Sequence, residues 1–224
     1  MMSEPLNLPD LGVRENIRQK VANALRAALI AGEMRPGVIY SAPALAEQFN
    51  VSATPVREAM LDLVKEGLVI AVRNKGFRVT ELSERDLDEI IEIRELIEVP
   101  TIAKIAATVP ADRILRLRPW AEAIVAAAEE GDLVRYVEAD EAFHLNLLAL
   151  AGNAHLLGTV RELRHRSRLY GISRLAEGGK LADSAREHLD LLDVVASGDA
   201  EAAASLMRRH LRHVRGIWAD RPES

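Results

Sequence analysis

The sequence contains no cysteine, which excludes disulfides and thiolate metal sites and makes a cytoplasmic location the simplest expectation. No apolar run approaches the ~18 residues of a membrane span. The N-terminal stretch MMSEPLNLPD lacks the basic region and apolar core of a secretory signal, so no membrane partner is expected. Aromatic residues are scarce, at 4% of 224. Alanine, leucine, arginine and glutamate fill their place, a composition that favours helices. The length suits one large domain or two small ones, each with its own core.

A net charge of −5 hides an asymmetry. Between Asp10 and Thr80 ten Lys/Arg stand against seven Asp/Glu, and the remainder holds nineteen against twenty-seven. A mildly basic head on an acidic body is the balance expected of a DNA-binding domain joined to a separate domain.

Within the head, Ile17, Val21, Leu25 and Leu29 recur at helical spacing in a segment from Arg14 to Ala31. GEMRPG then breaks the helix. A short helix is expected from Ala42 to Phe49, with a turn at Asn50 and a cap at Ser52. The following helix, Ala53 to Glu66, buries Val56, Met60, Leu63 and Val64. Pro55 sits at its start, where the missing amide costs no intrahelical hydrogen bond. LVIAVRNKGFRVT reads as two short strands around a turn at Asn74-Lys75-Gly76. Three helices and a wing make a winged helix-turn-helix, a shape that lays one helix in the major groove of DNA.

The string ALAEQFNVSATPVREAMLDLVKEGLV, with NKGFRV after it, resembles the DNA-binding domain of the GntR family of bacterial transcription regulators. That resemblance implies operator double-stranded DNA as a partner. It implies DNA contacts from Ser52, Thr54 and Arg57 at the start of the third helix and from Arg73, Lys75 and Gly76 on the wing, with Gly76 at its tip. Pro43 and Ala53 stand where the family usually has arginine, so two of three helix arginines are absent and operator choice should differ. Each bidentate arginine–guanine pair is worth ~1–3 kcal/mol of discrimination.

Beyond Thr80 the pattern is helical throughout. SERD, from Ser83 to Asp86, reads as an N-cap opening a helix with a kink at Pro100. Further helices are expected at 111–130, 132–150, 154–174, 181–197 and 200–219. The fold class is therefore mainly α. Residues 1–80 form a winged helix-turn-helix, and residues 81–224 form an all-α antiparallel bundle of six or seven helices.

Polar residues interrupt three of the apolar stripes in that bundle. One runs Leu133, Val137, Asp140, His144, Leu148; another Leu181, Ser184, His188, Leu191, Val195; the last Ala203, Leu206, His210, Val214, Ile217. Each histidine alone is most simply a hydrogen-bonded core residue. Together, imidazoles and a carboxylate facing inward from three helices also form a donor set for a divalent cation such as Zn, Mn or Ni.

DEAFHLNLLALAGN, EHLDLLDVVASGDAEAA and MRRHL resemble the metal-binding FCD effector domain of the FadR subfamily of GntR regulators. The resemblance implies a divalent metal ion held by Asp140, His144, His188 and His210, and a small organic acid completing its coordination. Arg94 matches a family arginine that would meet the acid's carboxylate; a salt bridge to Glu98 is the other reading. Ser184 would hydrogen-bond the effector or serve helix packing. Arg161, Arg164 and Arg168 share a face and could approach an anion, although a solvated face or a subunit contact is the simpler assignment. Asn153 fits a local capping role.

The function expected is a transcription regulator, a repressor and homodimer, whose operator binding answers to the acid. The alternatives are a metal-dependent hydrolase fused to a winged helix, or a bundle with purely structural polar stripes. No further carboxylate or histidine stands out as a general base, because Glu141 lies about 100° around the helix from Asp140.

Overall fold

The structure, a computed structural model, describes residues 17–168 and 179–219, with Arg168 and 213–219 described by backbone alone. The chain folds as α1 (Ile17–Ile30), β1 (Ile39–Tyr40), α2 (Ala42–Phe49), α3 (Ala53–Lys65), β2 (Val69–Val72), β3 (Gly76–Val79), α4 (Glu84–Thr108), α5 (Ala111–Leu115), α6 (Arg118–Glu130), α7 (Leu133–Ala149), α8 (Ala154–Arg168), α9 (Leu181–Ala196) and α10 (Ala200–Ala219).

The head is built on Val21, Leu25 and Leu29 of α1 packed on Val56, Met60 and Leu63 of α3, closed by Phe77 and Val79 from the wing. Burying each such side chain stabilises the fold by about 1.5–3 kcal/mol. Two bidentate ion pairs, Arg18–Asp62 and Arg26–Glu66, hold α1 against α3 outside the apolar contact. Asn50 closes α2 with a left-handed φ of 52°. Ser52 occupies the N-cap of α3 with extended backbone, but its side chain makes no cap hydrogen bond.

The wing has a third strand that alternation alone did not reveal. Residues Ile39–Tyr40 pair antiparallel with β3, which gives the order β1-β3-β2. Two residues are too short a run to show a period. Gly76 is the residue that admits them. Its φ is +129°, and a Cβ there would sit 2.4 Å from the Tyr40 carbonyl oxygen. Gly76 therefore starts β3, and the tip of the wing lies before it, where Asn74 turns at φ 59°.

Ser83 and Asp86 form a reciprocal capping box that starts α4. Hydrogen bonds from Ser83 keep the Asp86 carboxyl below the ordinary aspartate range. Pro100 lies inside α4, and the helix runs through it. The expected 111–130 helix is two elements, α5 and α6, because Pro119 at the start of α6 has no amide to continue α5. Asn153 accepts the Leu156 amide at 3.1 Å, the capping role expected of it. The bundle core gathers Ile102, Ile105, Phe143, Leu147, Leu191, Leu192, Val195 and Met207. Ile30, the last residue of α1, is buried in this core rather than in the head's own, so the two domains share a seam.

Candidate metal centre and nucleic-acid interface

On the head, Ser52, Thr54 and Arg57 are exposed together at the N-terminal end of α3. Arg73 and Lys75 are exposed on the turn between β2 and β3, and Gly76 is half-buried behind them. Pro43 is exposed on the first turn of α2, and Ala53 opens α3 half-buried. The surface a groove would meet thus carries Arg57, one turn into α3, as the cation of that helix end, with Arg73 and Lys75 of the wing also exposed.

In the bundle, the three stripes converge. Asp140 and His144 come from α7, His188 from α9 and His210 from α10, and all four are buried. One nitrogen from each histidine lies within 4.8 Å of the other two. His188 Nε2 is 3.1 Å from His144 Nε2 and 3.0 Å from Asp140 Oδ1.

The hydrogen bonds behind the rings fix how these nitrogens present themselves. His188 Nδ1 faces the carbonyl oxygens of Ser184 and Ala185 at 3.0 and 3.1 Å, which only accept, so Nδ1 carries the proton. His210 Nδ1 donates to Glu187 at 3.0 Å. Burial pushes the His144 pKa well below the imidazole value, with Arg164 adding to the effect, and lowers that of His210 against the pull of Glu187. His144 and Asp140 therefore do not form a charged pair, although their atoms approach to 3.9 Å. With Nδ1 held by those carbonyls, the Nε2 of His188 is the atom that faces the Asp140 carboxylate. Either a proton on Nε2 or a cation among the rings satisfies that contact. A proton serves one pair of atoms, whereas a cation accepts every converging lone pair at once. Such protonated Nδ1 atoms, held by carbonyl and carboxylate partners, are the outer support that metal-bound imidazoles characteristically have.

Beside the histidines lies a buried network of four charges. Arg164 donates to Asp140 Oδ2 at 2.7 Å and to Glu98 Oε2 at 3.4 Å, while Arg94 donates to Glu98 Oε1 at 2.5 Å. Arg94 thus stands in the ion pair with Glu98 that its spacing allowed. Burial pulls the Arg94 pKa below the ordinary guanidinium value, and Glu98 opposes that shift. Arg164 is 4% exposed, which corrects the expected solvated face or subunit contact: α8 turns this arginine inward while Arg161 stays outside. Arg168 lies outside the described side chains. The Arg164 Nε is buried with no hydrogen-bond partner among the described residues. Ser184 is also buried, its Oγ 3.3 Å from Tyr136 Oη.

Three consecutive residues of α8 face three different parts of the protein. Arg164 reaches the charge network. His165 meets Glu141 at 2.7 Å in the wall of a cavity of about 260 Å³ at the domain seam, floored by Ile30, Leu68, Val134 and Val137. Arg166 lays its stem against Gly67 of the head, 3.5 Å from where a Cβ would stand. His165 showed no stripe pattern in the sequence, and only its seat beside Arg164 and Arg166 distinguishes it.

Residues 17–79 match the family model of bacterial regulatory proteins, gntR family, and residues 89–213 match that of the FCD domain. The chain belongs to the GntR family, with an FCD domain behind its winged helix. An HTH-type transcriptional regulator of Agrobacterium vitis is 38% identical over 132 residues, covering 58% of this chain and 77% of that protein. A probable D-xylose utilization operon transcriptional repressor of Paenarthrobacter nicotinovorans is 29% identical over 199 residues, 88% of this chain and 87% of the relative. Among solved structures, E. coli McbR/YncC aligns with a TM-score of 0.71 at 25% identity, over 92% of this chain and 99% of that one. This GntR protein is accordingly a transcription regulator of the winged-helix/FCD type, and not a hydrolase. No helix among the described residues is long and apolar enough to cross a membrane.

Proposed function

We propose that this GntR regulator binds operator DNA as a homodimer, and that a divalent cation and a small organic acid in the FCD domain set its affinity for that DNA. The observation that supports the metal is the convergence of one nitrogen each from His144, His188 and His210 within 4.8 Å, with Asp140 Oδ1 3.0 Å from His188 Nε2 and the Nδ1 atoms of His188 and His210 already held. Asp140, His144, His188 and His210 would hold the ion, and Zn, Ni and Mn all suit this donor set. When bound, the ion supplies positive charge and coordination positions for an oxygen ligand.

The surrounding charges favour an acidic effector. Arg94 and Arg164 are balanced by Glu98 and Asp140, a neutral set as it stands. Asp140 cannot fully serve both a cation and Arg164. Once it turns to the cation, Arg164 keeps only the long contact to Glu98 and has an unpartnered Nε besides. A buried guanidinium left short of acceptors favours a carboxylate ligand. Arg164 and Arg94 would read that carboxylate, and Ser184, beside His188, would donate to a neighbouring oxygen.

Binding is transmitted through α8. Arg164 senses the site and Arg166 lies against Gly67, so a shift of the helix moves the seam under the head. In a dimer this alters the fit of two α3 helices to paired half-sites. The ligand can bias that fit only by its difference in affinity for the two arrangements. On α3 and the wing, Ser52, Thr54, Arg57, Arg73, Lys75 and Gly76 would form the DNA-facing surface. Repression, the action named for the Paenarthrobacter relative, is the proposed sign. Operator binding by the metal-loaded protein, titrated with hydroxy- and dicarboxylic acids, is the test. At least one acid should shift the midpoint, and indifference to all of them would remove the effector from the proposal.

A further inference from the structure

The cavity at the domain seam takes its walls from both domains. α1 gives Arg26 and Ile30, the turn between α3 and β2 gives Glu66 and Leu68, and α7 and α8 close the other side. Its floor of Ile30, Leu68, Val134 and Val137 is apolar, and the two valines are only half-buried. At about 260 Å³ it lies just below the ~300 Å³ at which small-molecule sites usually begin, room for a single ring or a short alkyl chain.

The charges on these walls do not balance. Three carboxylates, Glu66, Glu138 and Glu141, stand against one guanidinium and one imidazole. Arg26 is matched bidentately by Glu66, and His165 meets Glu141 at 2.7 Å. Glu138 is exposed and forms no ion pair among the described residues. Its charge nevertheless acts into the cavity, raising the Arg26 pKa after the larger effect of the Glu66 hydrogen bond. The lining is therefore net negative even with His165 protonated, and more so with it neutral. Glu138 and Glu141 also border a groove that continues between α7 and α8, where Arg161 stands as a cation. Of the two hollows, the seam is the negative one.

We propose that the seam cavity is a second ligand site, selective for a small amine with an apolar body. The body rests on Ile30, Leu68, Val134 and Val137, and the ammonium lies against Glu138 and Glu141. Burial of the body supplies affinity, while the carboxylates select against acids and neutral analogues. The site is distinct from the histidine centre and wants the opposite charge in its ligand, since the buried arginines there favour a carboxylate. It requires neither the metal nor the dimer.

Isothermal titration calorimetry of the full chain tests this with three probes that share a ring and differ in charge: benzylamine, benzyl alcohol and benzoate. Benzylamine should bind, and benzyl alcohol should bind about tenfold more weakly. Val134→Phe fills the cavity and should remove benzylamine binding. Any benzoate heat would come from the buried arginines and should stay as it was. Glu138→Gln, at an exposed position that leaves the core untouched, should weaken benzylamine about tenfold and leave benzyl alcohol unchanged. Benzylamine binding that survives Val134→Phe, or none to the wild type, overturns the site. A benzylamine affinity that is indifferent to Glu138→Gln, or no better than that of the alcohol, overturns its choice of amines.

Discussion

His188 Nε2 and Asp140 Oδ1 face each other at 3.0 Å, while the proton of the His188 ring is held on its far side by the carbonyls of Ser184 and Ala185. At that distance the pair needs either a proton on Nε2 or a cation between the two atoms. The relation ties two elements together: α7 supplies the carboxylate, and α9 supplies both the imidazole and the carbonyls behind it.

The support behind His210 is the first thing to remove. Glu187→Ala deletes the acceptor of its Nδ1 proton without touching a donor to the ion. Metal affinity should fall about 10- to 100-fold, as measured by competition with a chromophoric chelator. His188→Ala should abolish stoichiometric binding, and undiminished metal content in that variant would reject the site.

Acid should destabilise the metal-free protein earlier than its carboxylates alone would. His144 and His210 have folded pKa values below the unfolded imidazole value of ~6.5, so below that pH the unfolded chain binds more protons than the folded one. Stability is therefore present above about pH 6.5 and falls as the pH drops below it, by up to about 1.4 kcal/mol per pH unit for each histidine. Urea titrations between pH 7.5 and 5 read this directly; a flat profile would mean that the two rings are not buried neutral.

Arg164→Ala should be costly, and unequally so. Without a cation, Asp140 loses its guanidinium and remains buried, and breaking a buried pair in this way costs about 3–5 kcal/mol. With metal bound, the ion takes over as the partner of Asp140, so the loss should shrink. Thermal unfolding of wild type and variant, each with and without Zn, gives the four numbers needed. Equal losses in both states would show that Asp140 does not change partners.

On the head, Arg57→Ala and Lys75→Ala should fail differently. Removing a base-reading arginine costs ~1–3 kcal/mol on the correct operator and relaxes specificity. Removing a phosphate contact weakens binding to every sequence and lowers the salt slope by about 1. Gel shifts on operator and random DNA at several salt concentrations distinguish the two. An Arg57→Ala protein with unaltered sequence preference would take Arg57 out of the groove.

Gly76→Ala should damage the wing and spare the bundle. The new methyl would enter the Tyr40 carbonyl and demand a φ of +129° from an L-residue, a strain of about 1–3 kcal/mol. Loss of DNA binding with unchanged metal stoichiometry is the expected pattern.

Much of this was legible in the residues. The periods of α1 and α3 placed most of their buried faces, except that Ile17, at the first turn of α1, is 52% exposed and Val64 only half-buried, and the bundle stripes brought Asp140, His144, His188 and His210 to one place. Ser83 and Asp86 announced the start of α4 by their chemistry. The misses share a cause. Arg164 was read as a surface cation because arginine at helical spacing ordinarily is one, and nothing local shows that Glu98, 66 positions away, waits to receive it. The Ile39–Tyr40 strand was too short for a period. α4 runs through Pro100 as expected, whereas the split at Pro119 was not foreseen, because a proline at the first turn of a helix also marks where a new helix starts.

Arg164, His165 and Arg166 follow one another on one helix, so the buried charge network beside the histidines and the fit to the head are written into the same turn. Such a helical domain is a poor interchangeable module. Grafted behind a foreign winged helix that offers no flat, side-chain-free spot at the position of Gly67, it would keep its buried network, yet Arg166 would have no surface to rest on.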